Sequence, residues 1–165
     1  MSEAMKLVVF TDGGARGNPG PAAAAFVVYE AGKEGAGGRQ DKIPRRVQGK
    51  FLGVATNNVA EYSAVVEALE WIKNEMRGTE NGTQSGKDET TGLEICFFLD
   101  SSLVVNQLNG RFKVKDGRLR ELTVAVRQKE QALAPAKITY TYVPREQNRE
   151  ADAMVNEILD EQNYS

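Results

Sequence analysis

The sequence predicts an α/β fold in which an antiparallel meander adjoins a parallel pair of strands, with helices on the faces. Three observations carry this expectation. Leu7, Val8, Val9 and Phe10 form one apolar run without alternation, the composition of a strand covered on both faces, and residues 93–99, apolar apart from Glu94, read as another buried strand. Between them Val59, Tyr62, Val65, Val66, Leu69, Ile72 and Met76 recur at steps of three and four, the stripe of a helix long enough to cross over between parallel strands. Three strand-like segments joined by short turns open the chain, which suggests the meander. The element order is β-β-β-α-β-α-α-β-α.

The first strand ends on Asp12, and Gly13 and Gly14 follow, where the missing side chains let another backbone come close. Residues 15–21, with Gly17, Asn18, Pro19 and Gly20, are turn chemistry. A second strand over 22–29 begins with small residues and continues as Phe26, Val27, Val28 and Tyr29. Four glycines in 31–38 read as a hairpin tip, and 43–54 as a weaker, basic strand at the sheet edge. Thr56, Asn57 and Asn58 are polar and turn-prone, a fitting start for the long helix, and Glu61 falls in its first turn at the border of the apolar stripe. Residues 77–92 read as an exposed connection.

The strand at 93–99 again ends on a carboxylate, Asp100. A short helix is expected over 101–108, then a longer one over 118–133 with Leu119, Leu122, Val126 and Leu133 inward. Ile138, Tyr140 and Tyr142 alternate in a last strand over 137–143. Asn148 suits the N-cap of a closing helix whose inward face is Ala151, Met154, Val155 and Ile158, with Asp152 near its start. The 165 residues, 41% of them hydrophobic, suffice for one domain spanning 1–165 and not comfortably for two, with loose tails at 1–5 and 161–165.

Composition excludes whole classes of chemistry. Histidine is absent, which removes serine–histidine and cysteine–histidine catalysis, histidine zinc sites and haem ligation. Cys96 is the only cysteine, and its setting between Ile95 and Phe97 reads as a buried, inert thiol. A formal net charge of −2 leaves any nucleic-acid contact to local basic patches. One holds Arg39, Lys42, Arg45, Arg46 and Lys50, the other Arg111, Lys113, Lys115, Arg118 and Arg120; taken alone, each reads as a solvated face. The first residues lack the apolar core of a signal peptide, and no window approaches the ~20 apolar residues of a membrane span. The expectation is a soluble, cytoplasmic monomer without an obligate protein partner.

Four acids then stand out. Singly, Asp12 could serve a tight turn, Asp100 could cap a helix, and Glu61 and Asp152 could complement helix dipoles. Together they behave differently. In open α/β sheets the working site lies beyond the carboxyl ends of adjacent parallel strands, where Asp12 and Asp100 are expected, and the other two flank core-facing helix stripes. Four converging carboxylates without cations would repel. The economical reading is a site for hard divalent cations bound through oxygen, of which Mg²⁺ fits first.

The stretch from Phe10 through Asp12, Gly13, Gly14, Asn18 and Gly20 to Pro21 resembles the opening signature of type 1 ribonuclease H. Thr56-Asn57-Asn58-Val59-Ala60-Glu61, Leu99-Asp100-Ser101 and Asn148-Arg149-Glu150-Ala151-Asp152 continue the resemblance in family order across almost the whole chain. It implies the ribonuclease H-like fold, a five-stranded mixed sheet flanked by helices, and endonucleolytic cleavage of the RNA strand of RNA/DNA hybrids to 5′-phosphate and 3′-hydroxyl ends. It further implies two Mg²⁺ ions, with Mn²⁺ as the substitute ion. By similarity Asp12 bridges both, Asp152 completes the one that activates water, and Glu61 and Asp100 hold the one at the leaving oxygen. The matched positions for the RNA strand are Gly13, Gly14, Asn57 and Asn58, and for the DNA strand Asn18 and Thr56.

The chain departs from many members in two respects. It lacks the histidine of the loop before the last aspartate and resembles the short-loop members; Arg145 is the candidate substitute, although a guanidinium cannot act as a base. In place of a full basic protrusion it has a compact basic turn over 111–117. Two other readings of the same residues stay open here, a hybrid-binding module of this fold whose chemistry has lapsed and a structural cation site.

Overall fold

The apolar run at Leu7 lies where its composition puts it, in the middle of a five-stranded sheet. The structure, a computed structural model, describes residues 5–31, 44–77 and 92–162. In chain order the elements are β1 (Lys6–Ala15), β2 (Gly20–Ala31), β3 (Arg46–Ala55), α1 (Asn57–Arg77), β4 (Glu94–Leu99), α2 (Ser102–Leu108), α3 (Gly117–Ala132), β5 (Lys137–Tyr142), a single 3₁₀ turn (Arg145–Gln147) and α4 (Arg149–Gln162). The strand order is β3-β2-β1-β4-β5. β1, β2 and β3 pair antiparallel, while β1 with β4 and β4 with β5 pair parallel. This is the mixed sheet that the pattern predicts, with the basic strand at one edge.

The two faces of β1 feed two cores. Leu7 and Val9 pack with Tyr62, Val65 and Leu69 of α1 and with the apolar residues of α2 and α3. On the other face Phe10 packs with Val27, Tyr29 and Ala151, and Ala23 and Ala25 lie under Val155 and Leu159 of α4. The small residues that open β2 therefore have a packing reason, since they admit α4 close to the sheet. Gly49 does the same on β3, where an added Cβ would lie 2.4 Å from Ile158 Cδ1 and 2.8 Å from Met154 Cγ.

Several boundaries differ from expectation, each for a local reason. β1 does not stop at Asp12. Its parallel pairing with β4 ends at Thr11 opposite Leu99, but its antiparallel pairing with β2 continues to Ala15 opposite Ala22. β3 begins at Arg46 rather than 43. α1 is capped by Thr56, whose Oγ1 accepts from the Val59 amide at 3.2 Å, so Glu61 opens the second turn instead of falling in the first. Ser101 caps α2 and Asp116 caps α3, the latter accepting from the Leu119 amide at 3.0 Å. Asn148 stands at the expected N-cap position of α4, its carbonyl accepting the Asp152 amide at 3.1 Å, but its side chain does not cap the helix and turns instead toward β1 and Asp100.

Of the expected tails, Met5 receives the Glu94 amide at 2.9 Å and Glu161 and Gln162 continue α4. Residues 1–4 and 163–165, most of the hairpin tip at 32–38, and 78–91 of the expected connection lie outside the described residues. So do Arg39 and Lys42 of the first basic patch, whose Arg45 pairs with Glu30 and Glu75 and whose Lys50 pairs with Glu67.

One contact decides where α1 sits. A Cβ on Gly13 would lie 2.2 Å from the Ala60 carbonyl carbon and oxygen and 2.6 Å from the Glu61 nitrogen, so the helix backbone rests directly on the strand. Gly14 is under no such demand, because its Cβ would meet only side-chain atoms at 3.9 Å. The expected outcome is that Gly13→Ala costs about 2–3 kcal/mol in urea denaturation by forcing helix and strand apart. Gly14→Ala should change stability by less than about 1 kcal/mol in the same measurement.

Candidate active site

Strand register brings the first two acids together. Thr11 and Leu99 are the last parallel partners of β1 and β4, so Asp12 and Asp100, the next residues, leave the ladder side by side. The contact of α1 on Gly13 sets Glu61 beside them. One carboxylate oxygen from each of Asp12, Glu61 and Asp100 lies within 4.8 Å of the other two. Asp152, in the first turn of α4, acts on Asp12 by charge and by a side-chain hydrogen bond, yet stands outside that tight set.

The structural duties open to these acids are performed by other residues. Asp12 serves no turn, since the strand runs through it opposite Ala25. Asp100 caps nothing, because Ser101 Oγ takes the Val104 amide at 3.3 Å. Glu61 lies beyond the first turn of α1. Asp152 alone keeps a place where an anion suits the helix dipole.

Burial and like charge dominate the electrostatics. Asp12 is 5% exposed and Glu61 7%. Burial first, then the charges of Asp100 and Asp152, push the Asp12 carboxyl from its ordinary 3.8 up to about 8. Burial holds Glu61 well above its usual range, and Asp12 and Asp100 add to the effect. Asp100 is raised by burial too, against the Asn148 hydrogen bond and the Arg145 guanidinium, which favour its ionised form. Arg145 opposes the shift of Glu61 in the same way.

Glu61 Oε1 is buried with no hydrogen-bond partner among the described residues. A buried carboxylate oxygen left unpaired beside two other carboxylates is costly unless a cation sits there. The donor set is all oxygen, the set that hard divalent ions take. The residues present therefore fit such ions.

Asn148 is the member of the site whose role sequence reasoning assigned elsewhere. It is 1% exposed; its Nδ2 donates to the Thr11 carbonyl at 2.8 Å and to Asp100 Oδ2 at 3.3 Å, tying the two strand ends and one carboxylate together. Asn156 was not singled out at all, although it lies one helical turn after Asp152 and donates to Asp152 Oδ2 at 3.4 Å. The spacing of four on one helix face was the available signal.

The acids lie in an open cleft of about 410 Å³, which Gly13, Gly14, Asn57, Asn58 and Arg145 also line. Asn18 and Thr56 line a neighbouring cleft of about 490 Å³, across from Arg118 of α3, and Asn58 borders both clefts. Asn57 has local work as well. Its Oδ1 accepts from the Ala15 amide at 2.8 Å and its own amide donates to Asn18 Oδ1 at 2.9 Å, so the β1–β2 turn is tied to the start of α1. Among the described residues no helix is long and apolar enough to cross a membrane.

The family model for RNase H matches residues 4–159. The chain is 37% identical over 159 residues to the bifunctional protein Rv2228c of Mycobacterium tuberculosis, a match covering 94% of this chain and 36% of that protein. It is 35% identical over 156 residues to the ribonuclease HI of Halobacterium salinarum, covering 94% of this chain and 65% of that one. It thus spans about a third and just under two thirds of these relatives. Among solved structures, LC11-RNase H1 in complex with an RNA/DNA hybrid superposes with a TM-score of 0.73 at 31% identity, covering 94% of this chain and 98% of that one. A match this extensive, over a sheet order and an acidic site reached from the residues themselves, makes this chain a member of the RNase H family.

Proposed function

We propose that the protein is an endoribonuclease that hydrolyses the RNA strand of RNA/DNA hybrids, giving 5′-phosphate and 3′-hydroxyl ends. The observation that carries the reading is the buried set of Asp12, Glu61 and Asp100 within 4.8 Å, with Glu61 Oε1 unpaired. Membership of the RNase H family, and a relative crystallised with an RNA/DNA hybrid, support the choice of substrate.

Asp12, Glu61, Asp100 and Asp152 would hold two Mg²⁺ ions, or Mn²⁺ in their place. Bound divalent ions supply positive charge that lowers the pKa of water and neutralises charge building on the phosphodiester. The protein's part is positioning. Asp12, which interacts with each of the other three, would be the shared ligand, held as carboxylate by the charge of the ions. Asn148 fixes the orientation of Asp100, and the contact at Gly13 holds Glu61 at the right depth. Arg145 brings a cation to the cleft without any capacity as a base, which suits contact with a phosphate oxygen.

Selection of RNA requires groups that meet the 2′-hydroxyl. Gly13, Gly14, Asn57 and Asn58, with Glu61, are the proposed contacts, since they line the cleft that holds the acids. Asn18 and Thr56, in the neighbouring cleft, are proposed for the DNA strand.

Three outcomes test this reading. A labelled RNA/DNA hybrid with Mg²⁺ should be cut, and Asp12→Asn should lower kcat by at least roughly 10³-fold. Undiminished cleavage by that variant, or tight hybrid binding by the wild type without cleavage, would overturn the assignment. Arg145→Ala should raise KM and reduce the slope of log affinity against log salt by about 1, measured by hybrid binding across a salt series.

The third outcome follows from proton linkage. With its carboxyl raised to about 8, Asp12 keeps in the folded state a proton that the unfolded chain releases near 3.8. The associated stability is fully present below pH 3.8 and is lost as pH rises toward 8. Thermal melts in chelator should therefore show Tm falling across that window. Asp12→Asn should flatten the fall and raise Tm at pH 8 by about 5 °C, and saturating Mg²⁺ should raise the wild-type Tm there.

A further inference from the structure

We propose that Asn156 is a positioning residue for Asp152, and that Arg16 locks it in the working orientation. The inference rests on the proposed role of Asp152 as the fourth cation ligand. Asp12, Asp100 and Glu61 are held by strand register and by backbone contact at Gly13. Asp152 stands on α4 and meets the sheet only through its side chain at Asp12. Its orientation therefore depends also on what its neighbours on α4 do.

Asn156 follows Asp152 by one turn and faces the same way. Its Nδ2 donates to Asp152 Oδ2 at 3.4 Å and to the Asp152 carbonyl at 3.1 Å. A side-chain amide could in principle turn over and present its oxygen to the carboxylate, which would repel it. Arg16 prevents this. Its guanidinium donates to Asn156 Oδ1 at 3.3 Å, and a guanidinium has only donors, so the amide oxygen must face Arg16 and the NH₂ must face Asp152.

Arg16 is itself anchored by Asp160 Oδ1 at 2.8 Å and reaches the Asn156 carbonyl at 3.5 Å. It directly follows the last residue of β1, the strand that carries Asp12. A chain of contacts therefore runs from that strand through Arg16 and Asn156 to Asp152. With Asp152 Oδ2 held by Asn156, the carboxylate is kept from rotating freely in the cleft where it meets Asp12. Losing a partner that orients a metal-binding side chain typically costs about 10–100-fold in metal affinity or activity.

The test uses Mn²⁺ alone as the probe, titrated calorimetrically into the full chain without substrate, beside kcat and KM for hybrid cleavage. Asn156→Leu, which keeps the volume and removes the donor, should weaken Mn²⁺ binding roughly tenfold. It should lower kcat at limiting Mn²⁺, recover when Mn²⁺ is raised, and leave KM for the hybrid unchanged. Arg16→Met should move the same quantities in the same direction by about threefold, because the amide then samples both orientations. Asp160→Asn leaves Arg16 a neutral acceptor in place of its ion pair and should weaken Mn²⁺ binding by less than Arg16→Met does.

Wild-type Mn²⁺ affinity in a folded Asn156→Leu protein, or a loss that added Mn²⁺ does not relieve, overturns the proposal. If that variant fails to fold, Arg16→Met decides, and wild-type affinity there overturns it equally. A wild type that binds Mn²⁺ but cuts no hybrid overturns the hydrolase reading and leaves the Asn156 comparison standing. One that binds no Mn²⁺ overturns both.

Discussion

Ionised carboxylates gathered within 4.8 Å in a buried place would repel one another, and the fold holds Asp12, Glu61 and Asp100 there at the cost of raising the pKa of each. The force needed comes from contacts that cannot yield. Two of the acids leave adjacent parallel strands at the same level, so moving them apart would mean breaking the central ladder of the sheet. The third is set by a helix whose backbone rests on Gly13 with no space between. Hydrophobic burial of α1 against β1 and β2 supplies the energy, since Tyr62, Val65, Leu69 and Ile72 are all fully buried on that helix. Stability elsewhere in the chain is thus what keeps an unfavourable charge arrangement assembled, a familiar trait of catalytic sites.

The fourth acid is held in another manner. α4 covers the opposite face of the sheet on a bed of small residues, Ala23, Ala25 and Gly49. Polar clamps fix it at both ends of its inner face, Tyr29 with Glu150 near the start and Arg16 with Asn156 and Asp160 further on. Small residues allow close packing of Val155 and Leu159, and these side-chain contacts add to that packing in setting the helix. The three-plus-one division of the acids follows directly from this difference between backbone-set and side-chain-set positions.

The β1–β2 turn joins these parts. Ala15 and Asn18 bind the first residue of α1, and Arg16 binds α4. A segment that the sequence presents as Gly/Pro-rich turn chemistry is therefore tied both to the helix bearing Glu61 and to the helix bearing Asp152. The two clefts meet at Asn58, and this turn contributes residues to both, Asn18 and Pro19 to one and Arg16 to the other.

Much of this was legible in the residues. Largely apolar runs marked the central strands, three-and-four spacing marked α1 and α4, and a basic, weakly patterned segment marked the edge strand, because burial on two faces, one face or neither leaves distinct composition. The four acids were legible as candidates for the same reason, since carboxylates at strand ends and beside apolar stripes are costly without a purpose. Local signals could not say which of several polar residues performs a given duty. Asn148 reads as an N-cap, and its side chain instead ties β1 to Asp100; Thr56 and Ser101 take the capping work that would otherwise have fallen to their neighbours. Gly13 and Gly14 look alike in sequence, yet only the packing of α1 makes one of them irreplaceable. The sequence by itself determined the elements and the inventory of oxygen donors. The tertiary structure alone decided which donors meet, at what distance and under what burial, because those quantities depend on contacts between residues as far apart in sequence as Arg16 and Asp160.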